Sequence, residues 1–194
     1  MSDTTSHRLQ TFDTMLAEGR IIRGSWTGKD SQGRDTACLL ASLSPEVAHA
    51  KTAGACPAEV MPSWLAHLTP WIDDAGTDAK WGGFVVRFGV CAHRWGALDE
   101  LAWSKLRWMV CGIIVREAVT HVSATTYPKV VKACERVIAL CDAGARNGVV
   151  DERERREARG ADAAAAAADA ERESADRMID KILTAIEVAC EVGS

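Results

Sequence analysis

The stretch from 151 to 191 constrains this chain most, because it contains no proline and a single glycine, Gly160. Alanine, glutamate, arginine and aspartate dominate it, and alanine, glutamate and arginine are strong helix formers. Toward its end, apolar residues recur at steps of three and four: Met178, Ile179, Ile182, Leu183, Ile186 and Cys190. We therefore expect one long C-terminal helix whose apolar stripe packs against another element.

The middle of this stretch consists mainly of small side chains, and its aspartates recur at a regular interval. Residues 163–168 are six consecutive alanines, and Asp162, Asp169 and Asp176 recur every seven residues. A seven-residue period marks one face of a helix that keeps a constant orientation to a neighbour. Small side chains let another helix approach to the short end of the usual ~8–10 Å interaxial distance. Two interpretations stay open: a close helix–helix seam, within the chain or between two copies, or a solvated helix held by propensity alone.

A chain of 194 residues is long enough for one domain with a buried core, and we expect a single domain over 1–194. Its predicted regions are a helix plus hairpin over 1–55, a tryptophan-rich helical core over 56–148 and the long helix over 149–192. The fold class is mainly α: a helical bundle with a long C-terminal alanine-rich helix and a small N-terminal β-hairpin.

Charge and cysteine usage narrow the function classes. The formal net charge is −4, and neither half carries the clustered basic face of a nucleic-acid binder, so no direct nucleic-acid binding is expected. The seven cysteines form no Cys-x-x-Cys pair, and the N-terminus is polar, so we expect reduced thiols in a cytoplasmic protein. No apolar run approaches the ~20 residues of a membrane span, so no membrane partner is predicted.

The first 55 residues predict a short helix and a hairpin. Apolar residues at helical spacing mark a helix over 7–18, with Gly19 as its C-terminal stop. Two β-leaning runs, 21–27 and 36–43, flank a polar loop over 28–33 and predict a hairpin. Ser44 as N-cap and Pro45 as first helical residue then predict a helix that ends near Gly54.

The next region predicts short turns followed by three helices. Prolines at 57, 62 and 70 are expected to break 56–74 into turns. Apolar stripes then predict helices over 77–95, 99–121 and 128–143, the second of them packed on several sides. Six tryptophans at helical spacing are expected mostly in the core, namely Trp64, Trp71, Trp81, Trp95, Trp103 and Trp108.

Two groups of residues have metal-ligand chemistry. Cys91 and His93 are two residues apart, and Asp73-Asp74 form an acidic pair at a loop. A structural zinc site takes four ligands from tight pairs, and side chains two apart on a helix diverge, so we expect buried thiols and a surface imidazole. Aspartates at a loop more often cap and form turns than bind a cation. We predict no catalytic residues, cofactor or metal.

Binding residues are expected on the long helix and on Trp103, which lies off the main stripe of its helix. An exposed tryptophan is a typical interface anchor. The acidic residues of the long helix provide the second predicted binding surface: Asp162, Asp169, Asp176, Glu171 and Glu173. Such a surface would meet a basic partner, with association weakened by salt.

The alanine and aspartate heptads and the closing residues 175–183 (ADRMIDKIL) resemble proteins of phages, prophages and high-GC bacteria. Those proteins carry alanine-rich helical repeats before a short amphipathic end, and some are labelled immunity proteins. The resemblance covers the last third of the chain and implies no catalytic residues. It implies a small accessory protein that acts by binding another protein, including inhibitors of bacterial defence systems.

The expected function is thus a non-enzymatic protein-interaction module. It would be a phage or prophage accessory protein that forms a homodimer and inhibits a bacterial defence complex. An example is a CRISPR effector, which is a basic nucleic-acid-binding partner. One alternative is an immunity-type or structural helical oligomer. A second is a small metal-binding enzyme that uses Cys91, His93, Asp73 and Asp74.

Overall fold

The computed structural model describes residues 3–151 and 172–192, and within them the protein is mainly α, as predicted. None of the helices in these two ranges is both long and apolar enough to cross a membrane. The elements in chain order are α1 (Asp3–Ala17), β1 (Thr27–Lys29), β2 (Asp35–Ala37), α2 (Leu39–Leu43), α3 (Pro45–Ala50), α4 (Ser63–Ala75), α5 (Asp78–Arg94), α6 (Glu100–Thr120), α7 (Pro128–Asn147) and α8 (Arg172–Val192).

Contacts between Cα atoms divide the chain into two compact units, Met1–Gly96 and Ala97–Ser194. The first unit contains the hairpin and α1 to α5, and the second contains α6 to α8. The division falls inside the region 56–148 that the sequence predicted as one helical core. The single domain over 1–194 stays a prediction.

The hairpin forms, but the first β-leaning run, 21–27, was wrong over most of its length, because β1 begins at Thr27 and extends into the predicted loop 28–33. β1 and β2 pair antiparallel with Gly28 opposite Thr36, and Gly33 takes a left-handed conformation in the loop, with φ at 77°. The second β-leaning run, 36–43, was wrong over its second half, because Leu39–Leu43 is the helix α2. Leucine, alanine and serine here lack the β-branched side chains that favour strands, and all five residues are buried.

The prediction of short turns over 56–74 is confirmed only as far as Pro62 and was wrong from Ser63 onward. The helix α4 begins directly after Pro62 and runs through Pro70 to Ala75. Pro70 has no N–H to give to the preceding turn and normally costs about 3 kcal/mol inside a helix. Burial of the apolar face of α4 outweighs that cost, since Leu65, Ala66 and Ile72 are each at most 1% exposed.

Capping residues are observed at the starts of α3 and α6, and the apolar stripes located α5 and α7. Ser44 caps α3 with its hydroxyl, which accepts a hydrogen bond from the backbone N–H of Val47 at 3.4 Å. Asp99 caps α6 by accepting from the N–H of Ala102 at 2.7 Å. The predicted helix over 77–95 is α5. The helix α7 continues past the predicted stop at 143 and ends before Gly148, whose φ is 78°.

In the second unit, α6 packs against both α7 and α8, as expected for a helix covered on several sides. The indole of Trp108 on α6 lies directly over Gly144 on α7, where a Cβ would overlap the ring. Next to it, Val137, Leu140 and Cys141 of α7 form the centre of an apolar cluster. Glycine at 144 thus lets the two helices approach closely.

The predicted apolar stripe at the chain's end is confirmed, since all six of its residues in α8 are buried. Two cations of α8 also reach a buried acid of α6. Arg177 Nε and Lys181 Nζ donate to the Glu117 carboxylate at 3.2 and 3.0 Å, and Glu117 is 4% exposed. The alanine run and its heptads before Asp176 lie outside the described residues, and so does the predicted close seam.

Candidate functional site

Arg23 organises the junction between α4 and α5 in the first unit. Its Nε donates to the carbonyl of Asp73 at 2.9 Å, and one terminal nitrogen donates to the carbonyls of Asp74 and Gly76 at 2.8 and 2.6 Å. The other terminal nitrogen binds the Asp78 carboxylate at 2.6 Å. The last carbonyls of a helix have no partner within it, so one guanidinium here satisfies the end of α4 and fixes the turn into α5.

Asp73 is the buried acid of this junction. It is 2% exposed, and its two oxygens accept from the backbone N–H of Leu39 at 3.3 Å and from Trp81 Nε1 at 3.0 Å. The carboxylate therefore ties α4 to the start of α2 and to α5. Burial raises the pKa of Asp73 to about 6, against the opposing effect of these two donors.

A cleft of about 140 Å³ opens beside Asp73. Apolar and polar groups both face it, with Trp26 and Pro70 on one hand and Ser25, Cys38 and Asp74 on the other. One Asp74 oxygen accepts from the backbone N–H of Gly24 at 2.8 Å, which holds the loop before β1 against the end of α4. Sequence elements 50 residues apart therefore form the two sides of this cleft.

The Cys38 thiol in this cleft is a neutral group. Cys38 precedes α2 and is 6% exposed, and burial raises the pKa of its thiol above the ordinary value, with the neighbouring carboxylates of Asp73 and Asp74 adding to the effect. A nucleophilic cysteine needs the opposite shift, because the thiolate is the reactive form. The arrangement favours binding over covalent chemistry at this residue.

The second feature of the first unit is the exposed face of α5. Ala79, Gly83, Val86 and Val90 follow one another at steps of four, three and four, and all are exposed. Val86 is 51% and Val90 is 42% exposed, which is high for β-branched apolar residues on a helix. We call these four residues the α5 seam.

The four residues of the predicted metal-binding alternative do not meet. Asp73 and Asp74 precede α5, whereas Cys91 and His93 lie near its C-terminus, about 20 Å away at 1.5 Å per residue. Cys91 is buried, and His93 Nε2 donates to the Asp13 carboxylate at 2.9 Å. Across 3–151 and 172–192 no group of three or more ligating side chains is arranged to hold a metal ion.

The predicted partner-binding residues have separate outcomes. Trp103 is half-buried and already interacts with another group of this chain. Asp176 is 4% exposed and so is not part of an exposed acidic face. The remaining three acids, Asp162, Asp169 and Glu171, lie outside the described residues, as does the side chain of Glu173.

The tryptophans are less buried than the spacing predicted. Trp95 is buried, but the other four that were expected in the core are half-buried, namely Trp64, Trp71, Trp81 and Trp108. Sequence reasoning did not single out Arg23, whose partners lie about 50 residues away, or Trp26, which lines the cleft together with residues of α4. The available signal for Arg23 was an arginine placed directly before a glycine turn, and it does not identify a partner.

Comparison with protein-family models, curated proteins and solved structures gives no match for this chain. The junction around Asp73 and the α5 seam are therefore the features of the molecule that bear on its function.

Proposed function

We propose that this chain is a non-enzymatic protein-interaction module, and that the α5 seam docks an acidic helix of a partner protein. The observation that carries the proposal is the exposure of Val86 and Val90 on a lean helix face. Isolated exposed apolar residues are ordinary, but a regular row at helix-packing spacing is typical of a helix-binding surface.

The shape of the seam suits a helix. Glycines at 82 and 83 are exposed, and a Cβ added to either would meet no atom within 4 Å. A partner helix can therefore approach to the short end of the ~8–10 Å range and pack on Val86 and Val90. The alternation of four and three residues is the spacing by which two helices interlock side chains along a shared seam.

The charges beside the seam indicate an acidic partner. Lys80, Arg87 and Arg94 recur every seven residues and so run along one edge of it. Arg87 and Arg94 already make contacts within the chain, and carboxylates of a partner would add to those contacts. An antiparallel pairing of two α5 helices would place these basic rows against each other, and this repulsion disfavours a homodimer through the seam.

The proposed binding surface is the exposed face of α5, whereas the sequence predicted a binding surface on the acidic residues of the long helix. Inhibition of a bacterial defence complex in a phage setting, and a homodimer, stay predictions. The basic partner was predicted for the acidic surface of the long helix. The α5 seam is flanked by basic residues, so its partner is expected to be acidic.

A designed peptide tests the proposal. We expect an amphipathic helix with alanine and leucine on its seam and glutamate every seven residues to bind, as measured by fluorescence anisotropy. Its lysine counterpart should bind at least ten-fold more weakly, and the difference should shrink at high salt. Val86→Glu should weaken the acidic peptide at least ten-fold, since it puts a charge into the apolar contact.

The matched control is Val188→Glu, because Val188 on α8 is 50% exposed, almost the same as Val86. It should leave peptide affinity within two-fold of the unmodified protein. Equal binding of the two peptides, or an unchanged affinity after Val86→Glu, would remove the α5 seam as the docking surface. A dimer in light scattering that Val86→Glu converts to a monomer would instead assign the seam to a second copy.

A further inference from the structure

The carboxylate of Asp73 is buried, and no cation among residues 3–151 and 172–192 donates a hydrogen bond to it. Its two hydrogen-bond donors in the described residues, the Leu39 N–H and Trp81 Nε1, are neutral. The nearest guanidinium, that of Arg23, gives its hydrogen bonds to three backbone carbonyls and to Asp78. A buried charge is normally paired, because taking an isolated carboxylate out of water is costly. Here the side chain instead adjoins an open cleft.

The groups that line the cleft suit the binding of an organic cation. The second acid, Asp74, is exposed at the same cleft, and a carboxylate has room for several donors beyond the single N–H of Gly24. Trp26 provides an indole, the best aromatic partner for a cation, and Pro70 provides an apolar surface. Ser25 also lines the cleft, and its hydroxyl donates to the carbonyl of Thr27 at 3.0 Å.

We propose that this cleft binds a small organic monocation, a guanidinium or primary alkylammonium head group, between the carboxylates of Asp73 and Asp74 and the indole of Trp26. Its volume of about 140 Å³ is well below the ~300–1,000 Å³ of sites for drug-sized ligands. It therefore admits a head group and excludes a nucleotide. The head group belongs either to a free amine or to an arginine or lysine side chain of another protein.

A metal ion fits this cleft less well than an organic cation. The described residues hold no group of three ligands arranged for a metal, and the Cys38 thiol stays protonated because burial raises its pKa. Trp26 and Pro70 offer no ligand atoms to an ion, whereas both pack well against the carbon atoms that accompany an ammonium or guanidinium group.

Binding of the cation is linked to protons. The pKa of Asp73 is about 6, so at lower pH a proton competes with the ligand for this carboxylate. The other groups that act on Asp73 are Asp74 on α4, the guanidinium of Arg23 with its partner Asp78, and the neutral thiol of Cys38. Affinity should therefore rise as the pH passes through 6, with the steepest change near that value.

The test is a titration of the full chain with methylguanidinium and with ethylammonium, followed by the NMR signal of the Trp26 indole N–H. We expect a saturable shift with both cations and none with methylurea, which has a similar shape without charge. Affinity at pH 7.5 should be several-fold higher than at pH 5. A short arginine peptide that binds more tightly than methylguanidinium would identify a protein side chain as the source of the head group.

Asp74→Asn keeps an oxygen for the N–H of Gly24 and removes the charge, and we expect at least ten-fold weaker binding. Asp35→Asn is the matched control, because Asp35 lies away from the cleft on β2 with its side chain 80% exposed, and its affinity should change less than two-fold. Circular dichroism confirms that each variant is folded. Equal responses to methylurea and methylguanidinium, no saturable shift, or saturation by magnesium chloride in place of the organic cations would overturn the proposal.

Discussion

The described residues include three buried acids, Asp73 in the first unit and Glu117 and Asp176 in the second, and Asp73 and Glu117 are stabilised in different ways. Glu117 in the second unit is 4% exposed and meets the cations of Arg177 and Lys181. Asp73 in the first unit is 2% exposed and receives one backbone N–H and one indole N–H. Burial raises the pKa of Asp73 to about 6, because these two neutral donors offset only part of the cost of removing the carboxylate from water. Glu117 thus links α6 to α8 within the second unit, whereas the carboxylate of Asp73 suits the binding of a cation.

The largest effect is expected from removing both cations of the second unit. Arg177→Ala with Lys181→Ala leaves the Glu117 charge buried with reduced compensation, and we expect a loss of about 3–4 kcal/mol in the free energy of unfolding. Urea denaturation measures it. Adding Glu117→Gln to the double variant should recover part of the loss. No recovery would mean that the lost stability came from packing of the two long side chains.

The pH dependence of stability should reveal Asp73 in the first unit. Its folded pKa of about 6 lies above the unfolded value of 3.8, so the folded state binds the proton more tightly. The contribution is fully present below pH 3.8 and is lost as the pH rises through 6, by up to roughly 3 kcal/mol for a shift of about two units. Urea denaturation between pH 4 and 7 should show this fall in the unmodified protein and a smaller one in Asp73→Asn. Identical slopes would contradict it.

Arg23 links the junction of the first unit to the charge of Asp73. Arg23→Met removes a donor from three carbonyls at the end of α4, and we expect a loss of about 1–2 kcal/mol in unfolding free energy. It also removes a positive charge near Asp73, so the pKa of Asp73 should rise further, as carbon-detected NMR of the carboxylate would show. Arg23→Lys keeps the charge and should preserve the pKa while losing much of the stability. An unchanged Asp73 pKa in Arg23→Met would show that Arg23 acts through the backbone alone.

The smallest effect on stability is expected at an exposed acid, Glu46, which serves as a reference for the buried acids Asp73 and Glu117. Glu46 accepts two hydrogen bonds from Arg8 at 2.7 and 2.9 Å, and these lower its pKa to about 2, yet its side chain is 45% exposed. Its contribution is present above pH 4.5 and is lost as the pH falls toward 2. We expect Glu46→Gln to cost less than 1 kcal/mol at pH 7 in thermal unfolding. A cost comparable to that of the Arg177 and Lys181 pair would show that burial is not what separates these acids.

Local signals in the sequence located much of the fold. Ser44 and Asp99 marked helix starts, and the apolar stripe of α8 marked its buried face, because both depend on residues within one or two turns. The errors occurred where tertiary burial overrode local preference. The run 39–43 is apolar and short, which suits strand and helix equally, and α4 continues through Pro70 because its apolar face is covered.

The candidate site was predictable only in part. Asp73 and Asp74 were noticed as acids at a loop, but their roles depend on Arg23 and Gly24, about 50 positions earlier, and no local pattern reports such a pairing. Glu117 was not singled out, although a glutamate among apolar neighbours in a central helix indicates a buried acid that needs partners. The exposed α5 seam could not be separated from a core face by spacing alone.

The long sequence separation between Glu117 and its partners also determines the order in which parts of the second unit fold during protein synthesis. Its partners Arg177 and Lys181 follow it by 60 and 64 positions, so they leave the ribosome well after α6 and α7 have emerged. Until then α6 presents an acid and an uncovered apolar surface, a species that chaperones recognise. The second unit is therefore the last to close, and translation that stalls before α8 yields a chain prone to aggregation.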